Sequence, residues 1–345
     1  MPIHSPAELT DIRGHIMERV TATALPKVID IEICNVCNYN CTVCTTGNGR
    51  INRKKTIMNA VQFERLLDIL ENDEIRGVPR INCIGEPFMN PDLYKIIEIL
   101  NKRGHINEER PVVINTNASL IDVDRLKKLG KMVHLQVSLD SIRHEVYAIY
   151  RNNHEKFFLR AIKSIRELSR TSVRMDLFTL VTRHNENHLG EIKLFADRLG
   201  VPIHFLAFHC SPFGVTADML PDSVRMEDNW ITRTYVTSVD FEAFSPQKPE
   251  SQQFVQYQKD EDLGLYRRKG DSSKPCQYTS IVWIGPDGEV LPCCLEAYYN
   301  TISFGNVFNV GSLKKIWRSR RYEEFRRNLL NRSQASHGPC RICFK

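Results

Sequence analysis

The chain has 345 residues, of which 42% are hydrophobic and 26% charged, and these are the proportions of an ordinary globular protein that can bury a large core. Its formal net charge is only +6, and the densest basic stretch, residues 318–327, is interrupted by Glu323 and Glu324. We interpret that stretch as a solvated helix face rather than a nucleic-acid surface. The first residues lack the basic start and apolar stretch of a secretory signal, and no apolar run has a membrane-spanning length. The expected location is therefore the cytoplasm, without membrane contact.

Residues 29–208 alternate short β-branched runs with amphipathic helical stretches, which is the pattern of repeated βα units on a parallel sheet. Six strands are predicted, at residues 29–33, 81–84, 112–116, 133–139, 173–181 and 203–208. Between them, apolar residues recur at helical spacing and are interpreted as core: Val61, Leu66, Leu67, Ile69 and Leu70 in one helix, and Phe158, Ala161, Ile162, Ile165 and Leu168 in another. Because a complete barrel needs eight units, the prediction is an α/β fold with a partial (β/α)6 TIM-like barrel.

Changes in composition divide the chain into four predicted parts. Residues 1–28 are an N-terminal helical extension and residues 29–210 the partial barrel. Residues 211–275 contain several prolines and a Gln-rich polar stretch, so we predict an irregular linker or lid there. Residues 276–345 form a small tail domain, in which residues 279–284 and 289–292 flank a turn as a β-hairpin and one helix starts after Ser312.

Eleven cysteines are present, and three of them follow the first predicted strand in the sequence CNVCNYNCTVC. Disulfides are rare in the cytoplasm, so clustered cysteines there are better interpreted as metal or cluster ligands. Cys37, Cys41 and Cys44 have the spacing C-x3-C-x2-C at the edge of the sheet where the active sites of such barrels are built. Three thiolates from one loop can hold three irons of a [4Fe–4S] cube and leave the fourth iron open. A zinc site that adds Cys34 as fourth ligand is the alternative.

Short polar motifs also end the next three predicted strands: Gly85-Glu86-Pro87, Asn115-Thr116-Asn117 and Ser138-Leu139-Asp140. Together with the cysteine loop, these motifs give a chain that resembles the radical S-adenosylmethionine (radical SAM) enzymes that carry a C-terminal auxiliary-cluster domain of the SPASM/twitch type. The resemblance extends from about residue 29 to the end of the sequence. It implies a role for each of these strand ends in binding one ligand.

The resemblance implies that S-adenosylmethionine binds the open iron and that one electron, from a flavodoxin- or ferredoxin-type donor, cleaves its sulfonium. The resulting 5′-deoxyadenosyl radical would then remove a hydrogen atom from a substrate. The same resemblance places Gly85 and Glu86 near the ammonium of the ligand and Ser138 and Arg151 near its carboxylate, with Asn117 also among the cofactor-binding residues.

A second group of cysteines lies in the tail, at Cys276, Cys293, Cys340 and Cys343. A hairpin that closes on Cys293 and the late C-x2-C pair can bring four thiolates around one cluster with no open iron. The family resemblance favours Cys293 over the neighbouring Cys294 and implies one auxiliary [4Fe–4S] cluster, as in the twitch version of the domain. The alternative is a zinc knuckle that holds the tail together.

The substrate is only weakly indicated. Cys210 ends the sixth predicted strand at the mouth of the active site, and we hypothesise that it returns a hydrogen atom to a substrate radical. Only about 28 residues precede the first strand, fewer than the peptide-recognition domain of many peptide-modifying relatives. This favours oxidation or epimerisation of a small molecule such as a sugar or cyclitol. A peptide- or protein-modifying maturase and a non-catalytic zinc-binding interaction module are the alternatives.

Overall fold

The computed structural model describes residues 25–42, 44–47, 49, 51, 53–75, 78–81, 84–152, 154–207, 235–236, 238–269, 276–294, 296–299, 302–330 and 340. Nearly all of the predicted N-terminal extension lies outside these residues. The first part contains six strands with one helix between neighbours and two helices between β4 and β5: β1 (Val28–Ile31), α1 (Ala60–Asn72), β2 (Val78–Ile81), α2 (Leu93–Lys102), β3 (Val112–Thr116), α3 (Val123–Leu129), β4 (Val133–Ser138), α4 (His144–Arg151), α5 (Glu155–Leu168), β5 (Arg174–Leu180), α6 (Leu189–Leu199) and β6 (Ile203–Leu206).

These six strands are parallel and pair in chain order, as the sequence predicts for βα units. The two faces of the sheet differ because side chains alternate along a strand. On β4, Val133, Leu135 and Val137 are fully buried in the core with the helices, whereas His134 and Gln136 project from the opposite face and are partly exposed. That opposite face is the inner wall of the partial barrel. The predicted partial (β/α)6 barrel is therefore confirmed.

The helical stripes are also largely confirmed. The helix α1 starts with a capping box, in which Asn59 accepts a hydrogen bond from the Gln62 N–H and the Gln62 side chain accepts one from the Asn59 N–H. The predicted core residues of α5 are all buried. In α1 the prediction was wrong for Val61, which is 71% exposed, because Phe63 occupies the core side of that first turn.

The second strand lies three residues earlier than predicted, at Val78–Ile81, and Ile84 follows it in the bend that leads to Gly85. The sequence signal was obscured by a proline and an arginine within the strand. The Arg80 guanidinium is bound in a bidentate manner by the carboxylate of Asp30 on β1, with N–O distances of 2.8 and 3.0 Å. A charged residue is therefore accommodated on the inner wall of the barrel by a paired partner.

The predicted linker is more regular than expected in its second part. It contains β7 (Tyr235–Val236), α7 (Ser238–Phe244), β8 (Tyr257–Asp260) and β9 (Leu265–Arg268). These strands form an antiparallel sheet in the order β7-β9-β8. The expectation of an irregular segment was wrong here because Tyr257 packs with Phe241 and Phe244 in a small separate core, and because Gly264, with φ of +63°, closes a tight turn. The segment is mostly polar in composition, so these few apolar core residues were not recognised in the sequence.

The tail contains β10 (Ile281–Ile284), β11 (Val290–Leu291), α8 (Glu296–Tyr299), α9 (Val307–Val310), α10 (Leu313–Trp317) and α11 (Arg320–Asn328). The predicted hairpin is confirmed by the antiparallel pairs of β10 with β11. The hydroxyl oxygen of Ser312 accepts a hydrogen bond from the Lys315 N–H and caps α10, as predicted. The single predicted helix is in fact two helices, because Ser319 caps a new helix after Trp317.

The tail is joined directly to the barrel. Strand β10 pairs in parallel with β1, so that among the described residues one eight-stranded sheet runs in the order β11-β10-β1-β2-β3-β4-β5-β6. A second contact is the hydrogen bond of 2.7 Å from the Ser312 hydroxyl to the carboxylate of Asp73, at the end of α1. Of the helices described here, none has the length and apolar character that a bilayer crossing requires.

Candidate active site

The loop after β1 is packed closely against the segment after β2. The Glu86 N–H donates a hydrogen bond of 2.8 Å to the Val36 carbonyl, and a Cβ atom at Gly85 would lie 2.2 Å from the same oxygen. Only glycine therefore permits this approach of the two backbones. On its other side the Thr42 N–H donates a hydrogen bond of 2.9 Å to the Tyr150 carbonyl in α4. These contacts fix the cysteine loop at the carboxyl ends of the strands.

The loop brings together the thiols of Cys37, Cys41 and Cys44. Burial raises the pKa of Cys37, and Glu86 and the other two cysteines raise it further. Burial raises the pKa of Cys41 to about 11, against the opposing effect of Arg151. Each thiol interacts electrostatically with the other two. Binding of a metal cluster must therefore displace protons from Cys37 and Cys41.

The surroundings of these thiols fit an iron–sulfur cluster. Directly after Cys44, the buried hydroxyl oxygens of Thr45 and Thr46 have no hydrogen-bond partner among the described residues. Such atoms in a native protein normally meet a ligand or water. In the part of the chain that the structure describes, no three His, Cys, Asp or Glu side chains are spaced to hold a single metal ion. A cubane has a different requirement, because each thiolate binds a separate iron atom.

Arg151 lies at the end of α4, beside the cysteine loop. Its Nη1 atom is 4.0 Å from the Cys41 Sγ, and its Nε donates a hydrogen bond of 2.7 Å to the Asp140 carboxylate. Burial alone lowers the pKa of Arg151, but Asp140 and Cys41 raise it well above its usual value. A permanent positive charge therefore faces the loop. Ser138, the other residue that is predicted to contact the ligand carboxylate, lies two residues before Asp140, at the end of β4 on the inner wall.

The Glu86 carboxylate is buried and engaged by the protein. It accepts hydrogen bonds of 2.7 Å from the Thr116 hydroxyl and 2.8 Å from the Asn117 N–H. Burial raises the pKa of Glu86 to about 7, and these hydrogen bonds only partly oppose that effect. The side-chain amide of Asn117 donates in turn a hydrogen bond of 3.0 Å to the side-chain Oδ1 of Asn38 in the cysteine loop. Glu86 and Asn117 thus join the ends of β2 and β3 to the loop that carries the thiols.

A second group of cysteines comes together in the tail. Cys276 is buried with Tyr278 and Leu329, and Cys293, Cys294 and Cys340 pack against this cluster. The Cys276 N–H donates a hydrogen bond of 3.1 Å to the Leu329 carbonyl. The structure therefore assembles three of the predicted ligands from the start of the tail, the hairpin and the late C-x2-C pair.

Cys293 and Cys294 have different neighbours. Burial raises the pKa of Cys293 well above its usual value, and Cys294, Glu296 and Cys340 raise it further. Cys294 interacts with the phenol of Tyr278 and also packs against the core around Trp283. The electrostatic contact between Cys293 and Cys340 favours Cys293 as the ligand on the side of the C-x2-C pair.

Several predicted residues are not brought into either group. Cys210 and Cys343 lie outside the described residues, so the hydrogen-donor hypothesis for Cys210 stays a prediction. Cys34, which the zinc alternative would require, is fully buried, and its thiol donates a hydrogen bond of 3.4 Å to the Val36 carbonyl. It behaves as a small buried side chain.

An ion pair that the sequence does not suggest connects the barrel to the tail. The Arg53 side chain, 3% exposed, donates a hydrogen bond of 2.6 Å to the fully buried Glu32 and one of 2.9 Å to the Ala297 carbonyl in the tail. Glu32 also accepts a hydrogen bond of 3.2 Å from the Ile84 N–H. Burial raises the pKa of Glu32 to about 7, although Arg53 lowers it. These residues form a joint between the barrel and the tail.

The inner wall carries a third polar group that sequence reasoning missed. The carboxylate of Asp176 on β5 lies 3.4 Å from the Nε2 of His134 on β4 and 3.3 Å from the Nε2 of His204 on β6. The Phe178 ring stacks on His204 with 4.7 Å between centroids. The sequence does contain a signal for this group. Polar residues occur at alternate positions of three neighbouring strands, and alternate positions of a strand lie on the same face of the sheet.

Family models match both the barrel and the tail of this chain. Residues 31–196 match the radical SAM superfamily, and residues 276–344 match the iron–sulfur cluster-binding domain called SPASM. The chain belongs to the radical SAM superfamily and carries a SPASM domain. This radical SAM protein uses S-adenosylmethionine and [4Fe–4S] clusters as cofactors. This cofactor assignment replaces the zinc alternatives for the two groups of cysteines.

Known radical SAM structures share the fold of this chain. SuiB of Streptococcus suis bound to S-adenosylmethionine has a TM-score of 0.59 and 20% identity, over 100% of this chain and 79% of that chain. SuiB bound to the precursor peptide SuiA has a TM-score of 0.58 and 17% identity, over 93% and 72%. The structure of anSMEcpe with bound S-adenosylmethionine and Cp18Cys peptide has a TM-score of 0.55 and 15% identity, over 92% and 85%. A search of curated proteins returned no match.

Proposed function

We propose that this radical SAM protein cleaves S-adenosylmethionine reductively at a cluster held by Cys37, Cys41 and Cys44, and that it oxidises a substrate bound at the inner wall of the barrel. The observation that carries the proposal is the convergence of three thiols, one buried and two half-buried, in one loop at the carboxyl end of β1. The electron would come from a flavodoxin- or ferredoxin-type donor.

When bound, the first cluster and S-adenosylmethionine supply a 5′-deoxyadenosyl radical that takes a hydrogen atom, and the auxiliary cluster supplies an electron acceptor. The chain's own residues orient the ligand. The Arg151 guanidinium, 4.0 Å from Cys41, would meet the ligand's carboxylate together with Ser138. Because the Glu86 side chain is already bonded to Thr116 and Asn117, the ammonium would contact the backbone around Gly85.

The proton released on oxidation needs an acceptor, and the group formed by His134, Asp176 and His204 meets this need. An imidazole that faces a carboxylate can take a proton because the carboxylate stabilises the imidazolium. His204 is 47% exposed on the inner wall, so a substrate can reach it. His204 pairs in register with Phe178, and Phe178 pairs with Ser138, so His204 lies level with the proposed ligand site. Asp176 pairs with Gln136 and lies two residues nearer the amino ends of the strands. The O–H or N–H bond of the substrate breaks and an N–H bond forms on the imidazole.

This arrangement favours a substrate with a hydroxyl or amine next to the reacting carbon, such as a sugar or cyclitol. The second candidate is a peptide, and it is supported by the peptide complexes of SuiB and anSMEcpe, whose folds this chain shares. Both candidates use the same radical chemistry. An experiment distinguishes the two substrate classes: cyclitols and peptides are supplied in turn, and the release of 5′-deoxyadenosine is measured with each.

The experiment that tests the proposal is anaerobic reconstitution followed by reduction with dithionite. The wild-type protein is expected to bind about eight irons and to release 5′-deoxyadenosine from S-adenosylmethionine. His204→Gln should keep that release but convert the identified substrate about 10²–10⁴-fold more slowly, which is the usual contribution of a general base. Colourless protein with stoichiometric zinc and no 5′-deoxyadenosine would contradict the proposal.

A further inference from the structure

Three polar side chains form a closed ring of hydrogen bonds between the cysteine loop and the end of β3. The Asn38 amide donates a hydrogen bond of 2.9 Å to the Ser119 hydroxyl, which donates one of 2.6 Å to the Asn117 Oδ1. The Asn117 amide donates in turn to the Asn38 Oδ1 at 3.0 Å. Each residue therefore donates once and accepts once within the ring. The sequence gives no local signal for it, because Asn38 and Ser119 are 81 residues apart.

The backbone at the end of β3 is shaped to present two members of the ring. Ala118, between Asn117 and Ser119, is fully buried and has a φ of +61°, in the left-handed region that is unfavourable for residues other than glycine. Its N–H donates a hydrogen bond of 2.9 Å to the Thr116 hydroxyl, and the Ser119 N–H donates one of 2.9 Å to the Asn117 Oδ1. Such a conformation persists only where the surrounding contacts enforce it. The end of β3 is therefore a rigid support for the ring.

The ring occupies most of the hydrogen-bonding groups of Asn117. Its Oδ1 accepts two hydrogen bonds, both from Ser119, and its Nδ2 donates to Asn38. An amide oxygen has two lone pairs, so this oxygen is saturated. Asn117 is also only 6% exposed. These contacts favour a role in holding the loop over direct contact with a ligand.

The other end of the ring lies within the cysteine loop. Asn38 directly follows Cys37, and the next residue, Tyr39, is buried and donates a hydrogen bond of 3.4 Å from its N–H to the Cys37 Sγ. Backbone contacts hold the loop at Val36 and at Thr42. The ring holds it at a third point between these two, directly beside a proposed cluster ligand.

We propose that the ring of Asn38, Asn117 and Ser119 locks the cysteine loop in its cluster-binding conformation, and that Asn117 is a positioning residue that acts through the loop. The inference rests on the proposed function, because it requires a cluster at the three thiols. A cluster held by one loop is lost when that loop opens, and opening must break both hydrogen bonds between Asn38 and β3. A loop that is already ordered also loses less conformational freedom when the cluster binds. The ring therefore slows the loss of the cluster.

The test is a chelator challenge of the reconstituted holoprotein. The first cluster is followed by the electron paramagnetic resonance signal of the reduced protein that S-adenosylmethionine alters. Asn38→Ala removes both hydrogen bonds to the loop and should accelerate the loss of this cluster about tenfold, an effect within the range of two ordinary hydrogen bonds. Asn117→Leu keeps the volume of the side chain and should also accelerate it. The double variant Asn38→Ala with Asn117→Ala should be no faster than Asn38→Ala, because the contact is already lost.

The matched control is Asn306→Ala, which removes an amide with as many hydrogen bonds from the tail. It should lose the first cluster at the wild-type rate. A wild-type rate in Asn38→Ala would overturn the inference, and so would a double variant much faster than Asn38→Ala. A raised KM for S-adenosylmethionine in Asn117→Leu, with cluster loss at the wild-type rate, would mean that Asn117 contacts the ligand directly, and the inference fails.

Variants that never assemble the first cluster are judged by urea titration of the cluster-free protein. If Asn38→Ala lowers the free energy of unfolding no more than Asn306→Ala does, the ring acts on cluster binding and the inference stands. A clearly larger decrease means that the ring serves general stability, and the inference fails. Failure of the proposed function is a distinct result, because Cys41→Ser would then leave the iron content of the protein unchanged.

Discussion

The two candidate cluster sites of this protein are built in opposite ways. The barrel site takes its three thiols from residues 37–44, a single loop held by backbone contacts to its neighbours. The tail site takes Cys276, Cys293 and Cys340 from distant parts of the sequence, and they meet only after the hairpin and α11 have packed. A local ligand set is specified by spacing, whereas a dispersed one depends on the whole domain. Loss of one thiol should therefore have different consequences at the two sites.

The largest effect is expected at the barrel site. Cys41→Ser should abolish the release of 5′-deoxyadenosine and reduce the iron content from about eight to about four per chain, because two thiolates of one short loop cannot keep a cubane. The measurement is iron analysis with product quantification under anaerobic conditions. Cys34→Ala is the matched control, since Cys34 is buried but is not a proposed ligand. Full activity in Cys41→Ser would show that the loop is not the cluster site.

The tail site should respond differently. Cys276→Ser should also remove about four irons but should leave the release of 5′-deoxyadenosine intact, while substrate oxidation is lost. Cys294→Ser should retain all the iron, because Cys293, on which Cys340 acts electrostatically, is the proposed ligand of this pair. Iron loss in Cys294→Ser, and not in Cys293→Ser, would reverse the ligand assignment of these two neighbours.

The joint between the barrel and the tail, formed by Arg53 and Glu32, provides a stability test. Arg53→Met leaves the Glu32 carboxylate buried without its partner, and breaking a buried ion pair from one side costs about 3–5 kcal/mol. The free energy of unfolding of the cluster-free protein, from urea titration at pH 8, should fall by this amount. Lys193→Met removes an exposed ion pair with Asp197 and serves as control, with an expected loss of at most about 1 kcal/mol.

The smallest expected effect is on the pH dependence of that stability. Burial raises the pKa of Glu32 from 4.5 to about 7 in the folded protein. The stability contributed by this group is therefore complete below the unfolded-state pKa and is lost as the pH rises through about 7. The free energy of unfolding of the wild type, relative to Glu32→Gln, should decrease between pH 5 and pH 8. A flat difference would mean that Arg53 holds Glu32 ionised throughout this range.

The same contrast explains what the sequence allowed us to predict. Periodicity identified β3 and the buried stripe of α5, and spacing identified Cys37, Cys41 and Cys44, because each signal is contained in a few consecutive residues. The pairing of β10 with β1 has no local signal, since it joins residues from opposite ends of the chain. Arg53 and Arg326 likewise look like ordinary surface arginines in sequence. Only tertiary packing reveals that both are buried, so the prediction of a solvated basic helix face was wrong for Arg326.

The central claim is that Cys37, Cys41 and Cys44 hold a cluster with one iron open to S-adenosylmethionine. It is tested most directly in a variant with serine at Cys276 and Cys293, which should retain only the first cluster. We predict that the electron paramagnetic resonance spectrum of this reduced variant changes when S-adenosylmethionine is added, because the ligand's amino and carboxylate groups would coordinate the open iron. An identical spectrum with and without the ligand would contradict the claim.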